Sequence, residues 1–129
     1  MIPFRIAFKP GQPICEQVVY AAKKAIVAGQ LRPGDPFPSV RALSRELKIN
    51  PNTAHKVVAL LLEDGLLEVA PGIGTTIRAA RPSAAGERKR LLKAEIEQLV
   101  VEAKRLGIDR DEVAAALDEH WKRLDGNKE

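Results

Sequence analysis

The sequence predicts a mostly α-helical chain with one small β-hairpin, followed by a C-terminal antiparallel helical hairpin. Three observations support this prediction. Apolar residues recur at helical spacing through most of the chain. A glycine-rich turn between two short apolar stretches, within residues 66–77, is typical of a β-hairpin. The stretch from Arg78 to Gly86 is rich in small residues and indicates a linker, which separates a first domain, residues 1–80, from a tail, residues 81–129.

The composition indicates a packed chain with a basic N-terminal part. Hydrophobic residues make up 45% of the 129 residues, which is enough for a core. Residues 1–80 hold ten Lys and Arg against six Asp and Glu, so they account for the whole net charge of +4. A basic surface of this kind suits a polyanionic partner.

No apolar run is long enough to span a bilayer, and the first residues lack the apolar segment of a signal peptide. The single cysteine, Cys15, excludes an internal disulfide and fits a reducing compartment. We therefore expect a cytoplasmic protein without a membrane partner.

The centre of the first domain is predicted to be two helices joined by a short turn. Ser39 is placed to cap the first of them, whose apolar positions repeat up to Leu47. Asn50 caps the second helix, with Pro51 at its first position and Gly65 just beyond its end. Such a pair is typical of a helix-turn-helix, whose second helix enters the major groove of DNA.

An earlier helix is predicted from Ile14 to Gly29, with Cys15 beside its apolar stripe. Two interpretations of this cysteine are open. It is either a small, half-buried core residue, which we favour, or a redox-sensitive thiol, which needs exposure and neighbouring cations.

A β-hairpin directly follows the helix pair. Its strands are predicted at Leu66–Val69 and Thr75–Ile77, joined by the turn Ala70–Gly74. Gly72 and Gly74 allow positive φ and a close approach of the backbone to a sugar-phosphate chain. A helix-turn-helix with such a hairpin attached is a winged helix-turn-helix, and the hairpin is its wing.

Residues 38–75, PSVRALSRELKINPNTAHKVVALLLEDGLLEVAPGIGT, resemble the GntR family of bacterial transcription regulators. Upstream pieces at residues 4–6, 12–17 and 29–35 are similar to the family's N-terminal signature. The short helical tail looks like that of the YtrA-like subfamily. The resemblance implies a sequence-specific transcription regulator, here interpreted as a repressor, that acts as a homodimer on a pseudo-palindromic operator in double-stranded DNA.

The resemblance and the helix pair together indicate the DNA-binding residues. Arg41 occupies a position that contacts DNA in this family, although a solvated surface arginine is the alternative. Amides and hydroxyls on the first turn of the second helix can reach base edges or phosphates. The predicted set is Ser39, Arg41, Asn50, Asn52, Thr53, His55, Lys56, Gly72, Gly74 and Thr75. No metal or cofactor is predicted, because no cysteine or second histidine lies at ligand spacing from His55.

Several positions depart from the pattern of the family. Lys48 stands in the turn where relatives commonly have glycine. The residues before the wing glycines, Val69–Pro71, are neutral where relatives commonly have a cation. Leu60 and Leu62 lie off the inward face of the second helix, and we expect them to pack on the tail or on a partner subunit.

The tail is predicted to be a helix from Glu87 to Leu106 and a second helix capped by Asp109 and Glu112. Two short amphipathic helices bury little by themselves, so a partner's pair is the expected cover. Trp121 is either an interface anchor or packed within its own chain. The predicted dimerisation residues are Leu92, Ile96, Leu99, Leu106, Val113, Leu117 and Trp121.

Two other classes of function compete with DNA-binding regulation. A neutral wing and His55 also suit a winged-helix module for protein–protein contact that has no DNA affinity. An enzyme is disfavoured, since two distant histidines, one cysteine and no phosphate-binding glycine loop make no catalytic set. No small-molecule effector can be assigned.

Overall fold

The computed structural model describes residues 2–79 and 85–125, which fall into two compact units: residues 2–79 together with 124–125, and residues 85–123. The predicted fold class, mostly α with a small β-hairpin, is confirmed. The first unit consists of α1 (Ile14–Val27), α2 (Val40–Leu47), α3 (Pro51–Glu63), β1 (Leu67–Ala70) and β2 (Gly74–Ile77). The second consists of α4 (Ala85–Lys89), a π-helical segment (Arg90–Glu95), α5 (Ile96–Arg105) and α6 (Arg110–Leu124).

Side-chain caps define where α2 and α3 begin. The Ser39 hydroxyl oxygen accepts a hydrogen bond from the backbone N–H of Ala42 at 3.0 Å. The Asn50 amide oxygen accepts one from the N–H of Asn52 at 2.7 Å, and Pro51 occupies the first helical position. Each cap satisfies an N–H that the helix itself leaves unpaired. Both predicted starts are confirmed.

Helix α3 is the centre of the first unit, because it packs against α1, α2 and β1. Its Ala54, Val57 and Leu61 are completely buried at helical spacing. Leu60 and Leu62 are half-buried and pack against the same core. This contact with the core of their own domain was not predicted, and contact of their exposed parts with a partner subunit stays a prediction.

The core also contains two residues that lie outside the helices. One is near the N-terminus and the other is just before α2. Phe4 and Phe37 are both buried, and their rings stack with centroids 6.1 Å apart. Val19 is also buried, on the side of α1 next to the predicted stripe. The core thus joins α1 to the residues that lead into α2.

The wing is an antiparallel hairpin in which Leu67 pairs with Ile77 and Val69 with Thr75. It differs by one residue from the prediction at three points, since β1 begins at Leu67 and ends at Ala70, and β2 begins at Gly74. The segment before α2 forms backbone hydrogen bonds with β2. The N–H of Phe37 donates to the Thr75 carbonyl at 2.8 Å, and the N–H of Gly34 to the Ile77 carbonyl at 2.8 Å.

Lys48 ends α2 in the left-handed conformation, with φ 56° and ψ 48°. In the described part of the chain, Lys48 is the only residue other than glycine that has a positive φ.

Because a side chain is strained in this conformation, Lys48→Gly is expected to raise the free energy of unfolding by about 1 kcal/mol. Urea unfolding measures this change. Lys48→Ala is the control, since it removes the charge but keeps a Cβ; equal stabilisation by both substitutions would contradict the backbone explanation.

The second unit corrects the prediction of one regular helix from Glu87 to Leu106. Helix begins at Ala85, so Ala85 and Gly86 belong to α4 rather than to the linker; residues 80–84 of that linker lie outside the described residues. In the π-helical segment, hydrogen bonds run from i to i+5, which widens the turn.

The start of α6 agrees with the predicted capping box. The N–H of Glu112 donates to the Asp109 carboxylate at 2.9 Å, and the N–H of Asp109 donates to the Glu112 carboxylate at 3.2 Å. On α6, Leu117 and Trp121 are exposed and Val113 is half-buried, so Trp121 is not packed within its own chain. No helix in residues 2–79 or 85–125 is both long and apolar enough to cross a membrane.

Candidate nucleic-acid interface

The first turn of α3 presents a polar surface free of acidic residues. Asn52, His55 and Lys56 are exposed, and Thr53 is half-buried. Ala54, which lies between these positions in the sequence, and Val57, which follows them, are buried on the opposite side of the helix, so the polar side chains point away from the core. A helix N-terminus with amide, hydroxyl and cationic groups favours contact with phosphates and base edges.

The start of α2 has the same character. Ser39 and Arg41 are both exposed, and the first turn of α2 also contains no acid. The capping bond uses the Ser39 oxygen as acceptor, which leaves the hydroxyl hydrogen available to an anion. Arg41 offers a guanidinium that suits a phosphate in two-point contact.

In the wing, Gly72 has φ 78° and Gly74 φ 112°, so both adopt the positive φ that the sequence predicted. An added Cβ at either glycine would meet no atom within 4 Å. The glycines are therefore required by the backbone conformation rather than by close packing within the chain.

The backbone joins two of the three predicted contact regions. Thr75 is half-buried, and its carbonyl oxygen accepts from Phe37, which lies two residues before the Ser39 cap. Wing and α2 start are thus linked by main-chain hydrogen bonds. The first turn of α3 belongs to the same compact unit, with α3 packed on both α2 and β1.

The acidic groups of α3 lie at its other end. Glu63 is the last helical residue, and Asp64 follows it as the C-cap. The Asp64 carboxylate is 3.4 Å from the ammonium of Lys23 on α1. This separation leaves the N-terminal end of α3 with Lys56 and the positive end of the helix dipole, as an anion-binding surface requires.

Cys15 lies within electrostatic range of this surface. Burial raises the pKa of its thiol, the nearby Lys56 ammonium opposes that rise, and Glu16 adds to it. Because the net shift is upward, the thiolate is disfavoured. The cysteine is half-buried and packs against the core, in agreement with the structural interpretation.

Two exposed residues were not in the predicted contact set. Lys48 adds a cation in the turn between α2 and α3, and its strained backbone is the signal that identifies it. Ile73 stands exposed between the two wing glycines. Sequence periodicity could not single it out, since a turn residue belongs to no apolar stripe.

The comparison with known proteins bears on the whole chain. Residues 14–77 match the model of the gntR family of bacterial regulatory proteins. The HTH-type transcriptional repressor YtrA of Bacillus subtilis is 30% identical over 117 residues, covering 90% of each protein. The chain belongs to the GntR family. Its relatives in that family are transcription regulators rather than enzymes, and YtrA-type regulators are among them.

Solved structures with the same fold include the tail. A transcriptional antiterminator from Listeria monocytogenes EGD-e superposes with a TM-score of 0.82 at 24% identity, covering 94% of this chain and 91% of that one. A GntR-family transcriptional regulator from Listeria monocytogenes has a TM-score of 0.66 at 27% identity, covering 87% and 98%. The short tail after the winged domain is therefore shared with other GntR structures.

Proposed function

We propose that this GntR-family protein is a cytoplasmic, sequence-specific DNA-binding repressor that acts as a homodimer on a pseudo-palindromic operator. Residues 1–80 form the DNA-binding domain, and residues 81–129 form the dimerisation tail. Within the domain, α3 enters the major groove through Asn52, Thr53 and Lys56, while Ser39 and Arg41 hold the phosphate backbone.

One observation supports this proposal above the others. The first turn of α3 is polar, exposed and free of acids, although the rest of the same helix is packed against three elements of the domain. This packing fixes the backbone that carries the polar first turn. A recognition helix needs such support, because base readout depends on fixed positions of a few side chains.

The apolar surface of the tail supports the proposed dimer. Sixteen large hydrophobic side chains are exposed among the described residues, and ten of them lie within residues 85–125, the shorter of the two ranges. Exposed apolar surface on this scale marks an interaction site. A second copy of the tail offers a matching apolar surface, and a two-fold dimer suits a palindromic operator.

The direct test is fluorescence anisotropy with the DNA upstream of the protein's own gene, beside a scrambled duplex of equal length. Both are titrated between about 50 and 200 mM salt, a range over which phosphate contacts weaken strongly. We expect at least ~10³-fold tighter binding to the native fragment. If the protein does not regulate its own gene, a duplex selected by the protein from a randomised DNA pool replaces the upstream fragment. If no sequence is enriched in that selection, the proposal is contradicted and a protein-binding module is favoured.

Arg41→Ala is expected to weaken binding to every duplex and to lower the log–log salt slope by roughly one, because one phosphate contact is lost. The same titrations measure both effects. Arg110→Ala serves as the control, since it removes an exposed arginine from the start of α6 in the tail. An unchanged salt slope for Arg41→Ala would mean that Arg41 contacts no phosphate and is a solvated surface residue.

A further inference from the structure

The wing tip, residues 69–74, is apolar and exposed. Its sequence, VAPGIG, contains no charged side chain and no side-chain hydrogen-bonding group. Val69 is 67% exposed and Ile73 73%, which makes Ile73 the most exposed large hydrophobic side chain in the described part of the chain. Ionic contact with phosphates therefore cannot explain this tip.

A tight turn holds Ile73 at the outer end of the hairpin. Its N–H donates to the carbonyl oxygen of Ala70 at 3.0 Å, which closes a four-residue turn around Pro71 and Gly72. Proline at the second position and a glycine with φ 78° at the third are typical of a type II turn. The backbone of the turn is thus defined without the isoleucine side chain, which is free to serve another purpose.

The glycines also make the tip narrow. Gly72 and Gly74 flank Ile73, and the space where their Cβ atoms would be contains no atom within 4 Å. One branched aliphatic side chain therefore projects from a thin backbone ridge. Such a ridge fits a minor groove, which is about 6 Å wide in B-DNA.

The position of the tip indicates its partner. Thr75, next to Gly74, is hydrogen-bonded through its carbonyl to Phe37, just before the capped start of α2. The tip is therefore an extension of the surface that carries Ser39 and Arg41. A ligand that is bound to Ser39 and Arg41 and extends towards the tip of the hairpin would contact Ile73.

We propose that Ile73 enters the minor groove of duplex DNA as an apolar wedge. This inference rests on the proposed DNA-binding function and adds a second kind of readout to it. Isoleucine is among the side chains that minor-groove proteins insert at base steps, where they partly unstack the bases. The wing then contributes affinity that does not depend on salt. It also favours operators with a flexible pyrimidine–purine step under the tip.

The test compares Ile73→Ala with wild type on the operator fragment, across the same salt series. We expect roughly tenfold weaker binding, the loss that removal of most of a buried aliphatic side chain produces, and an unchanged salt slope. Val27→Ala is the matched control, because Val27 is an exposed aliphatic residue on α1 and should leave affinity unchanged. Ile73→Lys should instead steepen the slope by about one, since it introduces a phosphate contact.

Each outcome is decisive. Wild-type affinity in Ile73→Ala would overturn the inference, and so would a loss accompanied by a shallower slope, which would mean that the wing positions a phosphate contact. If the wild-type protein itself binds no selected duplex, the proposed function fails and the wedge fails with it. Thermal midpoints equal to wild type, expected because Ile73 is outside the core, show that the variants are folded.

Discussion

A variant that carries Leu99→Glu and Trp121→Glu is expected to be monomeric and to bind its operator at least ~10²-fold more weakly than wild type. Leu99 is 46% exposed and Trp121 68% exposed, so neither substitution opens a hole in the core of the chain. Glutamate is also a good helix former. The loss would come from burying carboxylates in an apolar interface and from the end of simultaneous binding to two half-sites.

Sedimentation equilibrium measures the mass, and anisotropy on the same operator measures the affinity. The control is Tyr20→Glu with Val27→Glu, because these residues are 66% and 68% exposed but lie on α1 of the winged domain. Both proteins gain two negative charges, so a general electrostatic effect on DNA would appear in each. A dimeric tail variant, or a monomeric control, would contradict the assignment of the dimer interface to the tail.

Local chemistry explains why the helix starts could be predicted. Ser39, Asn50 and Asp109 each bond an N–H two or three residues ahead, so the relevant information lies within one turn of sequence. The left-handed Lys48 follows the same logic, since the turn geometry requires that conformation whichever residue is present. The predicted contact residues at these helix starts depend on such local features.

Non-local contacts explain what the sequence did not predict. The bonds of Gly34 and Phe37 to β2 join residues about forty positions apart, and a segment with prolines on both sides of Phe37 shows no strand pattern. The apolar spacing also could not predict that Trp121 is exposed, because an apolar helix face can pack against its own chain or against another one. The π-helical segment has no signal in the apolar spacing, which predicted one regular helix from Glu87 to Leu106.

Leu61→Ala is expected to lower the free energy of unfolding by about 3 kcal/mol, within the range for buried leucines whose removal leaves a cavity. Leu61 is fully buried on α3, which packs against α1, α2 and β1, so its loss weakens contacts with all of them. Small domains are stable by only about 5–15 kcal/mol, and a change of this size is a large share of that total. Urea unfolding of the full chain measures it.

Leu62→Ala is the control, since this neighbouring leucine on the same helix is only half-buried and should cost clearly less. Equal losses at both positions would contradict the difference in burial between the two leucines. The comparison also bears on recognition, because Asn52 and Thr53 lie on the same helix and are positioned by its packing. Operator affinity of Leu61→Ala should therefore fall once temperature unfolds the domain, and recover on cooling. Arg41→Ala, which removes a surface contact and leaves the core intact, should be weaker at every temperature.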